Sequence, residues 1–151
     1  MTKMIKHLGL ISLALIFTAT LSAKDEWVTD YEKALKTAKA EKKHLLLNFT
    51  GSDWCGWCIK LDKEVFDTSK FKKYAKKELI LVKLDFPRKG KQSKEEKAQN
   101  QKLAKEFGVR GYPTILILDP DGKLIQKTGY QKGGEKNYIQ HIEDIIKKSK
   151  K

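Results

Sequence analysis

Cys55 and Cys58 are the only cysteines in the 151-residue chain, and they lie three positions apart in the segment 54–58, Trp-Cys-Gly-Trp-Cys. Cysteines at this spacing can close a small disulfide ring and reopen it. If a helix starts here, its unpaired N–H groups and the positive end of its dipole favour thiolate over thiol at the first cysteine. Thiolate is the form that attacks disulfides, so the spacing predicts thiol–disulfide exchange. A purely structural role is less favoured, because so short a loop removes little entropy from the unfolded chain.

The beginning of the chain has the pattern of an export signal. Lys3 and Lys6 precede an uncharged, mostly apolar run over residues 8–23, which ends in small residues. This pattern predicts a signal peptide over residues 1–23, cleaved after Ala23, with cleavage after Ser22 as an alternative. A retained membrane anchor is the other interpretation, but the run is shorter than the roughly 20 residues that span a bilayer. We therefore expect one soluble domain over residues 24–151, periplasmic or secreted, in a compartment that permits disulfides.

The charge of the chain is strongly positive, at +13, and removing residues 1–23 leaves +11 because that segment carries Lys3 and Lys6 and no acidic residue. Almost all of the positive charge is lysine, since Arg88 and Arg110 are the only arginines. The simplest interpretation is a solvated basic surface, and the alternative is attraction to acidic partners or anionic lipid. We expect no nucleic-acid binding, because no recognised module or arginine cluster accompanies the charge.

Metal binding is the alternative chemistry for the cysteine pair. A structural zinc site requires four ligands, and the only histidines after residue 23 are His44 and His141, neither at ligand spacing from the pair. Copper(I) accepts fewer thiolates and is the better metal alternative. We expect no resident metal, and a metal-binding chaperone is the rival from a different functional class.

Hydrophobic periodicity predicts the elements that must position the cysteines. Alternation of helices and strands in the first half predicts parallel strands, and a later hairpin adds antiparallel pairing, so the fold class is α/β with a mixed central sheet flanked by helices. The predicted helices cover residues 31–42, the segment after Cys55, residues near 71–75, 93–107 and the segment after 134, and the predicted strands cover residues 44–49, 79–86, 114–118 and 123–129.

Residues 49–66, around the cysteines, and Tyr112-Pro113-Thr114, at the start of a later strand, together resemble the thioredoxin superfamily. The resemblance is strongest to small secreted bacterial thioredoxin-like proteins and to the C-terminal domain of the membrane reductase DsbD. It covers the chain from about residue 27 to the end and implies a thioredoxin-like fold.

The resemblance also implies roles for individual residues. Cys55 corresponds to the exposed nucleophile and Cys58 to the buried resolving thiol. Pro113 corresponds to the cis-proline that faces the disulfide, and the backbone of Tyr112 to the edge that pairs with an extended substrate segment.

Three further residues complete the predicted substrate-binding set, which is Trp54, Gly56, Trp57, Tyr112 and Pro113. The tryptophans could be core aromatics, but their position around the cysteines favours an apolar rim that faces substrate. Tyr112 fits core packing and substrate contact equally well, whereas Trp27 is expected to pack.

This sequence departs from the thioredoxin pattern before the cysteines. The resemblance implies a buried aspartate that helps to move the proton of the resolving cysteine. This chain has Asn48 and Phe49 near that point, and its segment before Cys55 is one residue longer than in the thioredoxin pattern. Asparagine cannot accept that proton. Asp53, Asp62, Glu64 or water could replace the aspartate, although solvation is the default expectation for Asp62 as for Lys60.

We therefore predict an exported thiol–disulfide oxidoreductase that reduces or isomerises disulfides of periplasmic proteins through Cys55 and Cys58, without a bound cofactor. Its partners would be disulfide-containing exported proteins and a membrane thiol reductase that donates electrons. A disulfide oxidase and a reductant for cytochrome c maturation are the rivals within this class.

Overall fold

A five-stranded sheet organises the computed structural model, which describes residues 27–149. The strands lie in the order β1-β3-β2-β4-β5. Their bounds are β1 Trp27–Val28, β2 His44–Thr50, β3 Leu79–Asp85, β4 Thr114–Leu118 and β5 Leu124–Thr128, and the helices are α1 Tyr31–Glu41, α2 Gly56–Leu61, α3 Ser69–Glu78, α4 Lys94–Glu106 and α5 Gly134–Ser149. This architecture confirms the predicted α/β fold with a mixed sheet.

Strand direction determines which segments meet at the cysteines. Strands β1, β3 and β2 run parallel, β4 runs antiparallel to β2, and β5 runs antiparallel to β4. Thr50 pairs with Asp85 and Phe49 with Thr114, so the carboxyl ends of β2 and β3 and the start of β4 share one edge. The carboxyl end of β5 reaches the same edge because Thr128 pairs with Ile115. Four chain segments therefore converge where the sequence places Cys55.

Alternating side chains of the central strands fill a core on each face of the sheet. On one face, Leu46 belongs to a cluster with residues of α2, α3 and α5. On the other, Leu45, Leu47 and Phe49 belong to a cluster with residues of α1 and α4. Strand β2 is therefore buried on both faces, which explains its nearly continuous apolar sequence.

Helix starts follow the capping residues in the sequence. Asp30, Thr68 and Ser93 each accept a backbone N–H three residues further on, and they begin α1, α3 and α4. Residues 93–96, Ser-Lys-Glu-Glu, match a capping box in sequence, but only half of it forms. Ser93 accepts the N–H of Glu96, but the Glu96 carboxylate accepts a hydrogen bond from the amide of Gln92. A cap satisfies one orphan N–H even without its reciprocal partner.

The structure differs from the predicted elements at two places. Strand β1 was not predicted, because two residues are too few to show a period; it pairs with Leu81 and Val82 of β3. The helix after the cysteines changes to a wider π turn over Asp62–Phe66. This turn buries Phe66 against the rings of Trp27, Phe71 and Tyr138, and the Trp27 contact confirms its expected packing role.

The predicted signal peptide and its cleavage site lie outside the described residues. Within residues 27–149, none of the helices combines the length and the apolar character needed to cross a bilayer.

Candidate active site

Cys55 and Cys58 form a disulfide at the start of α2. Cys55 is the N-cap residue, and its sulfur accepts the backbone N–H of Cys58 at 3.2 Å. The two side chains differ in access: Cys55 is 7% exposed and Cys58 is 1% exposed. The expectation of an exposed Cys55 therefore needs correction for the oxidised form, in which its bond to the Cys58 sulfur covers part of its surface.

The Tyr112–Pro113 segment enters the site from the start of β4, and its peptide bond is cis. The Tyr112 ring is half-buried and packs edge-on against Trp54, with ring centroids 5.7 Å apart. It also packs against the ring of Phe86, with ring centroids 5.2 Å apart. The ring of Tyr112 thus packs against its neighbours, and contact of its backbone with substrate stays a prediction.

Trp54 is held by interactions on several sides. Its indole N–H donates to the carbonyl of Phe86 at 2.8 Å, and the Arg88 guanidinium lies 4.3 Å from its ring centroid. Trp54 is therefore half-buried and held in a fixed position at the side of the site.

Trp57 is the exposed aromatic beside the disulfide, with 56% of its surface accessible. Its ring lies 5.2 Å from that of Tyr130, and Lys60 Nζ sits 5.3 Å from the Trp57 centroid and 5.5 Å from the Tyr130 centroid. Glu64 accepts the Tyr130 hydroxyl at 2.6 Å and pairs with Lys60 at 3.7 Å. Gly56 is exposed, and a side chain there would meet no atom within 4 Å.

Hydrogen bonds join the loop before Cys55 to the loop after β3. The Asp85 carboxylate accepts the backbone N–H of Ser52 at 2.9 Å and its hydroxyl at 2.5 Å. The Asp53 carboxylate accepts backbone N–H groups of Arg88, Lys89 and Gly90. These bonds, led by that of Arg88, lower the pKa of Asp53. The loop before Cys55, which contains the additional residue, is thus held to the loop after β3 by hydrogen bonds.

Asn48 is buried where the thioredoxin pattern has an aspartate, and it pairs in register with Lys83 of β3. Its Oδ1 and the hydroxyl of Thr50 make no hydrogen bond within the described part of the chain. The face of the sheet below the resolving cysteine therefore carries buried polar groups but lacks the expected carboxylate on β2.

Asp62 is the carboxylate at the end of the helix that carries the resolving cysteine. It lies one helical turn after Cys58, and its N–H bonds to the Cys58 carbonyl, so both side chains lie on one helix face. The expectation of a solvated Asp62 was wrong, because this side chain is half-buried. Burial raises its pKa to about 6; Lys83 opposes the shift, while Asp67 and Asp85 add to it.

Several residues of the site escaped the sequence analysis: Asp85, Phe86, Arg88 and Tyr130. The signal for them was topological. Carboxyl ends of neighbouring parallel strands meet at one edge of a sheet, so the residues after β3 belong beside those after β2. The same reasoning brings the residue two positions after β5 to that edge, because β5 returns antiparallel to β4.

No group of three or more His, Cys, Asp or Glu side chains within residues 27–149 is arranged to hold a metal ion. Of the two histidines weighed as ligands, His141 shares a hydrogen bond of 2.9 Å with the Thr128 hydroxyl.

A disulfide whose first cysteine caps a helix, together with a cis-proline just before a strand of a five-stranded mixed sheet, defines a thioredoxin-type redox domain. A family model described as thioredoxin-like domain matches residues 31–145. The chain belongs to this thioredoxin-like family.

Relatives of the chain lie among bacterial disulfide-exchange proteins. It is 36% identical to the disulfide bond reductase DsbH of Chlamydia pneumoniae over 126 residues, which cover 83% of this chain and 75% of that protein. A solved structure described as DsbH oxidoreductase superposes with a TM-score of 0.76 at 34% identity, covering 94% of this chain and 95% of the other. The DsbD C-terminal domain of Neisseria meningitidis shares the fold, with a TM-score of 0.58 at 21% identity over 75% of this chain and 91% of that domain.

The raised pKa of Asp62 predicts a pH-dependent stability. Its folded pKa of about 6 lies above the ordinary 3.8, so ionised Asp62 disfavours the folded state above about pH 6 and has no such effect below about pH 4. Asp62→Asn should therefore stabilise the oxidised protein at pH 7.5 by about 1 kcal/mol, a figure discounted for solvent screening, with a difference near zero at pH 4.

Urea unfolding at pH 4, 5, 6 and 7.5 measures this difference. Asp144→Asn, at an exposed position on α5, is the matched control and should leave the pH dependence unchanged. A gain for Asp62→Asn that is equal at every pH, or a loss at pH 7.5, would contradict the assigned environment of Asp62.

Proposed function

We propose that the protein is an exported thiol–disulfide oxidoreductase that reduces disulfides of periplasmic proteins. The observation that carries this function is the disulfide between a helix-capping Cys55 and a buried Cys58. Similarity to a protein described as a disulfide bond reductase supports the reducing direction.

Cys55 is the nucleophile in this proposal. After reduction, its sulfur keeps the position at the N-cap, where the Cys58 N–H and the helix dipole favour thiolate. The thiolate attacks one sulfur of a substrate disulfide, forms a Cys55–substrate bond, and releases the other substrate sulfur as a thiolate.

Cys58 resolves this mixed disulfide. Its thiol loses a proton and attacks the Cys55 sulfur, which restores the Cys55–Cys58 disulfide and releases the second substrate thiol. Two electrons have then passed to the substrate. A membrane thiol reductase would return the protein to its dithiol form, since no resident cofactor is needed for the exchange.

Asp62 is the acceptor of the Cys58 proton in this scheme. Of the three carboxylates considered, Asp53 accepts three backbone N–H groups and Glu64 is engaged by Tyr130 and Lys60. Asp62 lies on the Cys58 side of the helix, and its pKa of about 6 suits a base that works near neutral pH.

In this proposal the predicted binding residues hold the substrate segment beside Cys55. An extended segment would pair with the backbone of Tyr112 beside Pro113, between Trp54 and Trp57. Gly56 leaves the approach to the sulfur open, because it has no side chain and open space above it.

Cysteine variants test the assigned roles. Cys58→Ser should accumulate covalent complexes with exported proteins, because Cys55 can attack but nothing resolves the product. Cys55→Ser should form none, because Cys58 is only 1% exposed and should not reach substrate. The measurement is a non-reducing gel of cells expressing each variant, with reductant as the control that dissolves the complexes.

Trapping by Cys55→Ser alone would reverse the two roles. Trapping by neither variant, together with copper or zinc in the purified reduced protein, would replace this function by metal binding.

The Asp62 role predicts a kinetic effect as well. Resolution of a Cys55–peptide mixed disulfide, formed at pH 4 and followed after a pH jump, should accelerate as Asp62 ionises around pH 6. Asp62→Asn should lose this acceleration and resolve roughly tenfold more slowly at pH 7, at the low end of general-base effects. Asp144→Asn, at an exposed position on α5, is the control; a profile for Asp62→Asn identical to the wild type would refute the role.

A further inference from the structure

Two aromatic walls flank Cys55, and a cation rests on each. The Trp54 wall consists of Trp54, Tyr112 and Phe86, and Arg88 lies over it. The Trp57 wall consists of Trp57 and Tyr130, and Lys60 lies over both rings.

Contacts with aromatic rings give Arg88 and Lys60 defined positions. An aromatic face within about 6 Å attracts a cation and holds it in a defined place. Arg88 also belongs to the loop that Asp53 fixes through three backbone hydrogen bonds, and Lys60 is anchored by Glu64. Both positive charges therefore have fixed positions on the aromatic rings that precede and follow Cys55 in the sequence.

Acidic groups near the site offset part of this charge but do not pair with Arg88. The Asp53 carboxylate accepts backbone N–H groups of the Arg88 loop, Glu64 pairs with Lys60, and Asp62 is half-buried. Within residues 27–149 Arg88 forms no ion pair. The exposed side chains of Lys89, Lys91 and Arg110 add positive charge to the adjoining loops.

We propose that this surface selects extended substrate segments that carry acidic side chains on either side of the cysteine. The inference rests on the proposed function and specifies its substrate class. A glutamate or aspartate next to the substrate cysteine would meet Arg88 on one wall or Lys60 on the other and form a charge-assisted hydrogen bond. The exposed side chains of Trp57 and Ile59, which are 56% and 48% accessible, would pack against the apolar parts of the same segment.

Three matched peptide dimers test this selectivity. Each is a symmetrical disulfide of one short peptide whose cysteine is flanked by two glutamates, two glutamines or two lysines. Pre-reduced protein is mixed with each dimer, the reaction is quenched with acid, and released peptide thiol is measured. Reduction of the same dimers by dithiothreitol supplies the intrinsic reactivity, because flanking charges also change the leaving thiol.

After this normalisation, the acidic dimer should react on the order of tenfold faster than the basic one at low salt, with the neutral dimer between them. The ratio should shrink towards one at 0.5 M salt, because the contacts are at the surface and are screened.

Variants separate the two fixed cations from the overall charge. Arg88→Gln and Lys60→Gln should each lower the acidic-to-neutral ratio severalfold, and the double variant should bring it close to one. Arg88→Lys keeps the charge and should retain most of the preference. Lys148→Gln removes a lysine that lies with Lys42 and His44 at the opposite end of the sheet, and should leave the ratio unchanged.

Equal normalised rates for the three dimers would overturn the inference and leave the proposed function intact, because all three would still be reduced. A drop in the ratio for Lys148→Gln as large as for Arg88→Gln would also overturn it, since net charge would then be the cause. Failure to reduce any dimer would instead count against the proposed function.

Discussion

Hydrogen bonds between the two loops at the carboxyl edge of the sheet determine where the reacting cysteine stands. Asp85, the last residue of β3, accepts the N–H and hydroxyl of Ser52, and the Phe86 carbonyl accepts the Trp54 indole N–H. The Asp85 carbonyl in turn accepts the side chain of Asn100, which ties the same point to α4. Because Ser52 and Trp54 lie within the three residues before Cys55, the helix start that favours its thiolate is built on these contacts. A surface loop without them would leave both the sulfur and the Trp54 wall without a fixed position.

The balance of charge below the cysteines follows from the same architecture. A carboxylate on the buried central strand would be fully desolvated, whereas this chain has Asn48 there and a half-buried Asp62 on the helix above. Desolvation still raises the Asp62 pKa to about 6, and Lys83 on the neighbouring strand limits the shift. Partial burial and a nearby lysine thus set the pKa of Asp62 close to neutral pH, without a carboxylate in the core.

Much of the fold could be predicted from the sequence, because its elements carry strong periodic or capping signals. Residues 44–49 are an apolar run that forms β2, and the helices predicted over residues 31–42 and 93–107 begin within one residue of α1 and α4. Strand β1 was missed because two residues carry no period, and Trp27–Val28 become a strand only by pairing with β3. Asp62 was misjudged because its burial depends on what the helix packs against. The contacts of Tyr130 and Arg88 likewise arise from strand order, which local pattern does not encode.

The direction of electron flow is the central claim of this account, and the equilibrium of the Cys55–Cys58 pair with a glutathione or dithiothreitol redox buffer tests it most directly. The fraction of reduced protein, read by alkylation and mass shift, gives the reduction potential. We expect a value nearer to that of thioredoxin, about −270 mV, than to that of the oxidant DsbA, about −120 mV, a range that spans about 7 kcal/mol. A potential close to that of DsbA would contradict the account, since the protein would then donate disulfides instead of reducing them.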